Sequence, residues 1–153
     1  MMTAAIMDFK GPITDSGLIF SLEKLIGCPL PVDYRKFLEF YNGGYPEPDA
    51  FYFSNGEDGS SVDRFLSLGC EKHHDLLKYF NIYKDRIPPG FLPIAHDPGG
   101  NLILISLNDD SPGIYFWDHE AEADEGEIPS TDNMYVISST LSEFLACLHQ
   151  QEL

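Results

Sequence analysis

Three short runs in this 153-residue chain set side chains capable of chemistry next to one another. His73-His74-Asp75 has the residue types of a helical metal-dependent hydrolase motif. His96-Asp97 has the composition of a general-base dyad. Asp118-His119-Glu120 spaces two carboxylates two residues apart, so on a strand they share a face, where they could hold Mg²⁺ or Ca²⁺ or divide acid and base roles. Each run also has a plainer reading. A helical hydrolase motif needs further His and Asp ligands at distant positions, and the second half of this chain reads as β. His73-His74-Asp75 is therefore expected to start a helix, with Asp75 near the positive end of its dipole. Asp97 precedes Pro98-Gly99-Gly100, where an aspartate side chain caps a turn. Asp118 and Glu120 lack a third or fourth ligand, and neither NDDSPG (108–113) nor EAEADEGE (120–127) has EF-hand spacing. The chain holds no GxSxG elbow, phosphate loop or GxGxxG run. The expectation is a protein with no catalytic residue, no metal site and no cofactor.

One cluster keeps a functional reading. Glu120, Glu122, Asp124, Glu125 and Glu127 fall within eight residues, flanked by Asp118 and Asp132, with Asp109-Asp110 in a turn shortly before them. The chain carries 9 Lys and Arg against 25 Asp and Glu, a net charge of −16. Beyond Arg86 there are 12 acidic residues and no lysine or arginine. Nucleic-acid binding relies on cationic side chains releasing counterions, so this composition argues against DNA, RNA and anionic membrane surfaces as partners. It leaves a basic protein surface as the fitting partner, with a merely solvated loop as the alternative.

The elements that position these residues follow from periodicity and turn chemistry. Leu18, Leu22, Leu25 and Ile26 fall at helical spacing over Ser16–Ile26, with Asp15 as a cap and Gly27 as a stop. Pro31 opens a second helix with Tyr34, Phe37, Leu38 and Tyr41 on one face, ended by Asn42-Gly43-Gly44. YPEPD (45–49) reads as a loop, FYFS (51–54) and 62–68 as strands, and 73–83 as a third helix with Leu76, Leu77, Phe80 and Tyr83 facing inward. A hairpin is expected over 92–107 about the turn 97–100, with 114–119 pairing beside its second strand, because antiparallel neighbours are joined by short turns. LILISL (102–107) is apolar at nearly every position, the pattern of a central strand covered on both faces. MYVIS (134–138) is a last strand. Thr140-x-x-Glu143 opens a final helix carrying Leu141, Phe144, Leu145 and Leu148. The fold class is α+β, a mostly antiparallel sheet with N-terminal helices, a middle helix and a C-terminal helix packed around it. Length fits a single domain over 1–153.

Apolar runs are short, LILI (102–105) and IYFW (114–117) stopping after four residues, and the N-terminus has no basic stretch before its apolar patch, so neither a membrane span nor a secretory signal is expected. Cys28, Cys70 and Cys147 are odd in number and contain no CxxC, which reads as buried free thiols in a reducing, cytoplasmic setting.

Four stretches, in order, resemble the SUKH superfamily, the Smi/Knr-type domain. They are the helix ending at Gly27 that leads into Leu30-Pro31-x-Asp33-Tyr34; Phe37-Leu38 followed by Asn42-Gly43-Gly44; FLPIAHDPGGNLILISL (91–107); and GIYFWDHE (113–120). The resemblance spans about Leu18 to Glu120, with the terminal helix also in place. It implies a scaffold whose known role among bacterial immunity proteins is to bind and neutralise a toxin domain, and it carries over no catalytic residue. Many such toxins are nucleases with basic clefts, which a negative surface can occupy in place of phosphate. The implied interface is Asp109, Asp110, Asp118, Glu120, Glu122, Asp124, Glu125 and Glu127, with Tyr45, Phe51, Tyr115 or Trp117 as aromatic anchors where they reach the surface. Tyr115 and Trp117 should point to one side of their strand, and Ile114 and Phe116 to the other. A second reading is a housekeeping interaction module, since the Smi/Knr branch also includes regulators of cell-wall synthesis and signalling. A third is a carboxylate hydrolase using Asp118 and Glu120.

Overall fold

The computed structural model describes residues 6–8, 16–69 and 74–151. Its centre is the strand the apolar run demands. Leu102–Ser106 (β7) is buried at all five positions and lies in the middle of an antiparallel sheet. On one side of it pair Phe91–His96 (β6) and then Arg64–Phe65 (β5); on the other pair Ile114–Trp117 (β8) and then Met134–Ser138 (β9). The register sets Leu102 opposite Trp117 and Ile105 opposite Ile114. The hairpin about 97–101 and the neighbour beyond it thus form as their short turns require.

Alternation along these strands splits the core in two. Ile103, Ile105, Ile114 and Phe116 face the larger cluster. There they meet Ile19 and Leu22 of Ser16–Ile26 (α1), Tyr34, Phe37 and Leu38 of Val32–Phe40 (α2), and Leu141, Phe144 and Leu145 of Leu141–Ala146 (α4). Leu102, Leu104, Trp117 and Phe91 face a smaller one with Ile87, against which Tyr115 packs. Leu76–Tyr83 (α3) lies along β6, giving Leu76, Leu77 and Phe80 to the larger cluster and Tyr83 to the smaller, with Tyr79 packed against both. Two further ribbons complete the described chain. Ala50–Tyr52 (β3) pairs with Gly59–Ser61 (β4), and Tyr45–Glu47 (β2) pairs with Ile6–Asp8 (β1).

Several expectations shift. The buried stripe of α1 is Ile19 and Leu22, with Ile26 partly covered, whereas Leu18 and Leu25 are 38% and 53% exposed. Both stripes have helical spacing, and only packing selects between them. The segment 45–49, expected as a loop, contains β2. The strand expected over 62–68 is cut to β5, because Val62 and Asp63 turn between the β4 ribbon and the main sheet. The middle helix starts at Leu76 rather than 73: the Asp75 carboxylate accepts from Lys78 N at 3.1 Å and so takes the cap position. Asp15 and His73 lie outside the described residues.

Asn42-Gly43-Gly44 does more than stop a helix. The buried Asn42 side chain clamps the backbone of Leu68, donating to its carbonyl at 2.8 Å and accepting from its N–H at 2.7 Å. Gly43 (φ +96°) lies so close to the same segment that a Cβ would sit 2.3 Å from Ser67 Oγ. Two carboxylates tie the helices. Glu23 accepts from Leu30 N at 2.7 Å and pairs with Arg35, closing the α1–α2 turn. Asp33 accepts from Ser142 N at 3.1 Å, holding the start of α4 against α2.

Candidate partner interface

At one end of the sheet, three segments come together: the β6–β7 turn, the residues just past β8, and the turn of the β3–β4 ribbon. Asp97 organises them. Its Oδ1 accepts from the N–H of Gly99 and Asn101 at 2.9 and 2.8 Å, and its Oδ2 accepts from Asn101 Nδ2 and Ser60 Oγ at 3.0 and 2.9 Å. Every lone-pair direction of this buried carboxylate is used in structure, as the turn-capping reading requires. The His96 ring turns away from it, towards Asp63 Oδ2 at 3.5 Å and His74 Nδ1 at 3.4 Å.

Asn101 passes the arrangement on: its Oδ1 accepts from His119 N at 3.0 Å. The strand ends at Trp117, and Asp118 begins a single 3₁₀ turn, His119–Ala121, by accepting from Glu120 N at 3.0 Å. Asp118 and Glu120 therefore do not alternate on a strand as expected, yet they reach the same groove. This cavity of about 400 Å³ has Glu57, Asp58, Asp118 and Glu120 around a floor of Phe53, Phe116 and Tyr135. Phe53 and Tyr135 stack with centroids 5.1 Å apart, and Tyr135 is 40% exposed. No Lys, Arg or His lines it. Among the described residues no three His, Cys, Asp or Glu side chains stand where they could hold a metal ion together.

Beyond the 3₁₀ turn the acidic loop is tethered. Arg86 Nε and Nη2 donate to the two oxygens of Glu122 at 3.1 and 2.7 Å, and the guanidinium lies 4.5 Å from the Tyr83 ring centre. Glu122 is thus neutralised within the fold. Asp124, Glu125 and Glu127 remain exposed past it. The hydrogen bond from Arg86 holds the Glu122 carboxyl below the usual glutamate range, against the opposing effect of burial. Its folded value is depressed, so the pair stabilises the fold above the unfolded value and is lost as pH falls through the folded one. Both side chains are partly solvated, so about 1 kcal/mol is the ceiling. Arg86→Ala should show this deficit in urea unfolding near neutrality and none at strongly acidic pH; a pH-independent deficit would point to lost packing on Tyr83 instead.

The remaining proposed interface residues separate. Asp109 and Asp110 are exposed in the turn before β8, at the opposite end of that four-residue strand from Asp118. That puts them roughly 13 Å or more away. Trp117 and Phe51 are buried and cannot anchor a partner. Tyr115 is half-buried edge-on to Phe91, with its hydroxyl donating to Ser111 O at 3.1 Å. Tyr45 is held under Arg64, whose guanidinium lies 4.8 Å from its ring centre. Sequence reading missed Glu57, Asp58, Phe53 and Tyr135. NGEDGS read only as a turn, and nothing local says that it folds against Asp118 some 60 residues on.

No helix among the described residues is long and apolar enough to cross a membrane. Cys28 is half-buried and Cys147 exposed, both as free thiols, which corrects the expectation of burial for Cys147; Cys70 lies outside the described residues.

The profile of the SMI1 / KNR4 family (SUKH-1) matches residues 14–147. A SPbeta prophage-derived uncharacterized protein, YokK, of Bacillus subtilis (strain 168) is 33% identical over 144 residues, covering 83% of this chain and 70% of that protein.

Proposed function

We propose, since this chain belongs to the SMI1 / KNR4 family (SUKH-1), that it is an immunity protein which neutralises a bacterial toxin domain by occupying a basic surface at or beside its active site. The observation that carries this reading is the carboxylate-rimmed groove with an aromatic floor. Carboxylates at the rim attract a cationic cleft from a distance and select against anionic partners. The exposed Tyr135 ring, backed by Phe53, offers flat apolar area for an arginine or lysine stem once contact is made. The relative's prophage origin supports a role in competition between genomes. The mechanism is steric and electrostatic occlusion and asks for no cofactor.

The test is rescue. The genes beside its own are read for a toxin domain, the chain is co-expressed with that domain in a bacterial host, and growth and co-purification are scored. Restored growth with a stable complex is expected. Growth arrest despite soluble expression, with no complex formed, would overturn the reading and favour the housekeeping regulatory module.

A further inference from the structure

We propose that this chain forms a two-fold symmetric dimer in which the outer face of α2 packs antiparallel against α2 of a second copy, centred on Lys36. Val32, Lys36 and Phe40 recur at every fourth residue and so lie on one face of the helix. That face is uncovered: Val32 is 67% exposed and Phe40 77%. Beside it lies a cavity of about 660 Å³, lined by α2 residues from Val32 to Phe40, by Tyr41, and by Thr140 and Ser142 at the start of α4. A protruding aromatic ring and an adjoining hollow on one surface suit an isologous interface. The two-fold axis supplies each hollow with the ring of the other copy.

The outer face of α2 reads nearly the same in both directions from Lys36. An apolar residue stands four positions away on each side, Val32 and Phe40, and an acid three positions away on each side, Asp33 and Glu39. Antiparallel pairing about Lys36 therefore sets Val32 against Phe40 of the second copy, at the Val32 end of the cavity. It also places the second copy's two acids about 4.5 Å along the axis to either side of Lys36. Among the described residues Lys36 has no carboxylate partner in its own chain. Glu39 is exposed, and Asp33 engages Ser142 through Oδ2 alone. The two flexible lysine stems diverge from the axis, each towards a carboxylate of the other copy. Net charge favours this face as well. Each copy carries −16, so surfaces rich in acid repel one another. The cavity lining holds one acid, Asp33, and one base, Lys36, so two copies meet there without net local charge. It shares no residue with the carboxylate-rimmed groove, and a dimer leaves the lining of both grooves unchanged.

Sedimentation equilibrium of the untagged full chain tests this under reducing conditions. Physiological salt gives a screening length of about 8 Å and removes most long-range repulsion. One helix pair belongs to the small class of interfaces, below about 1,200 Å² in total, so a concentration-dependent dimer of micromolar affinity is expected. Phe40→Asp should weaken it roughly a hundredfold by burying a charge. Lys36→Glu should weaken it roughly tenfold by setting like charges together. Adding Glu39→Lys to Lys36→Glu should recover most of that loss, because the pair re-forms with its signs exchanged. Phe20→Asp replaces an exposed ring of α1 outside the cavity and should leave the affinity nearly unchanged. All four positions are exposed, so circular dichroism should show every variant folded. A monomer at all concentrations up to a few hundred micromolar would overturn the proposal. So would a dimer that survives Phe40→Asp, one lost equally in Phe20→Asp, or a double variant no tighter than Lys36→Glu alone.

Discussion

Trp117→Ala is expected to destabilise the protein by about 3–5 kcal/mol, the usual cost of emptying a fully buried aromatic site. A domain of this size has a total stability of about 5–15 kcal/mol, so the variant sits near the edge of folding at physiological temperature. Trp117 is 0% exposed and fills the smaller cluster with Ile87, Phe91, Leu102 and Leu104. Tyr83 meets it edge-on at 5.8 Å. Few side chains build that layer, so the void has little to collapse onto it. Urea unfolding followed by circular dichroism measures the loss; fluorescence does not serve, because Trp117 is the only tryptophan. A variant that unfolds at the wild-type midpoint but binds its partner poorly would return Trp117 to the surface.

Trp117 also shows where reading from sequence stops. Period-2 alternation separated Tyr115 and Trp117 from Ile114 and Phe116, and the structure keeps that separation. What alternation cannot say is whether the second face meets water. Here Tyr79 and Tyr83 of α3 and Ile87 cover it, from a segment that precedes the whole β6–β7 hairpin. The same limit explains α1. Its boundaries follow from local spacing and Gly27, but choosing Ile19 and Leu22 over Leu18 and Leu25 is a property of the neighbours.

Contacts between distant residues account for most of what the motifs concealed. Asn42 reads as a helix terminator, yet its amide is spent on Leu68, 26 residues away. Asp33 reads as a first-turn acid and instead holds Ser142, 109 residues on. Asp97 is the opposite case. Its role as a turn cap depends on its own next four residues, so it was legible. The groove combines both kinds of residue: Asp118 and Glu120 were visible as a local pair, whereas Glu57, Asp58 and Tyr135 join them only through the fold.

If the proposed toxin domain is the partner, reversing Glu120, Asp124 and Glu125 to lysine should slow association with it roughly tenfold to a hundredfold at low salt, and change dissociation much less. The three carboxylates are exposed, Glu120 lining the groove and Asp124 and Glu125 lining a second cavity with Asp85 and Arg86, so they act on encounter. Glu122 stays as it is, because its bond to Arg86 would confound a binding defect with a loosened loop. The screening length at physiological salt is about 8 Å, so raising salt should slow the wild type and bring the two on-rates together. Asp109→Lys with Asp110→Lys is the control. It also reverses exposed acids, but at the opposite end of β8, so its on-rate should stay close to wild type. Association kinetics of the three proteins across a salt series decide the matter. Equal slowing by both variants would mean that net charge, and not the groove, attracts the partner. On-rates that ignore both substitutions and salt would leave binding to an apolar surface elsewhere on the domain.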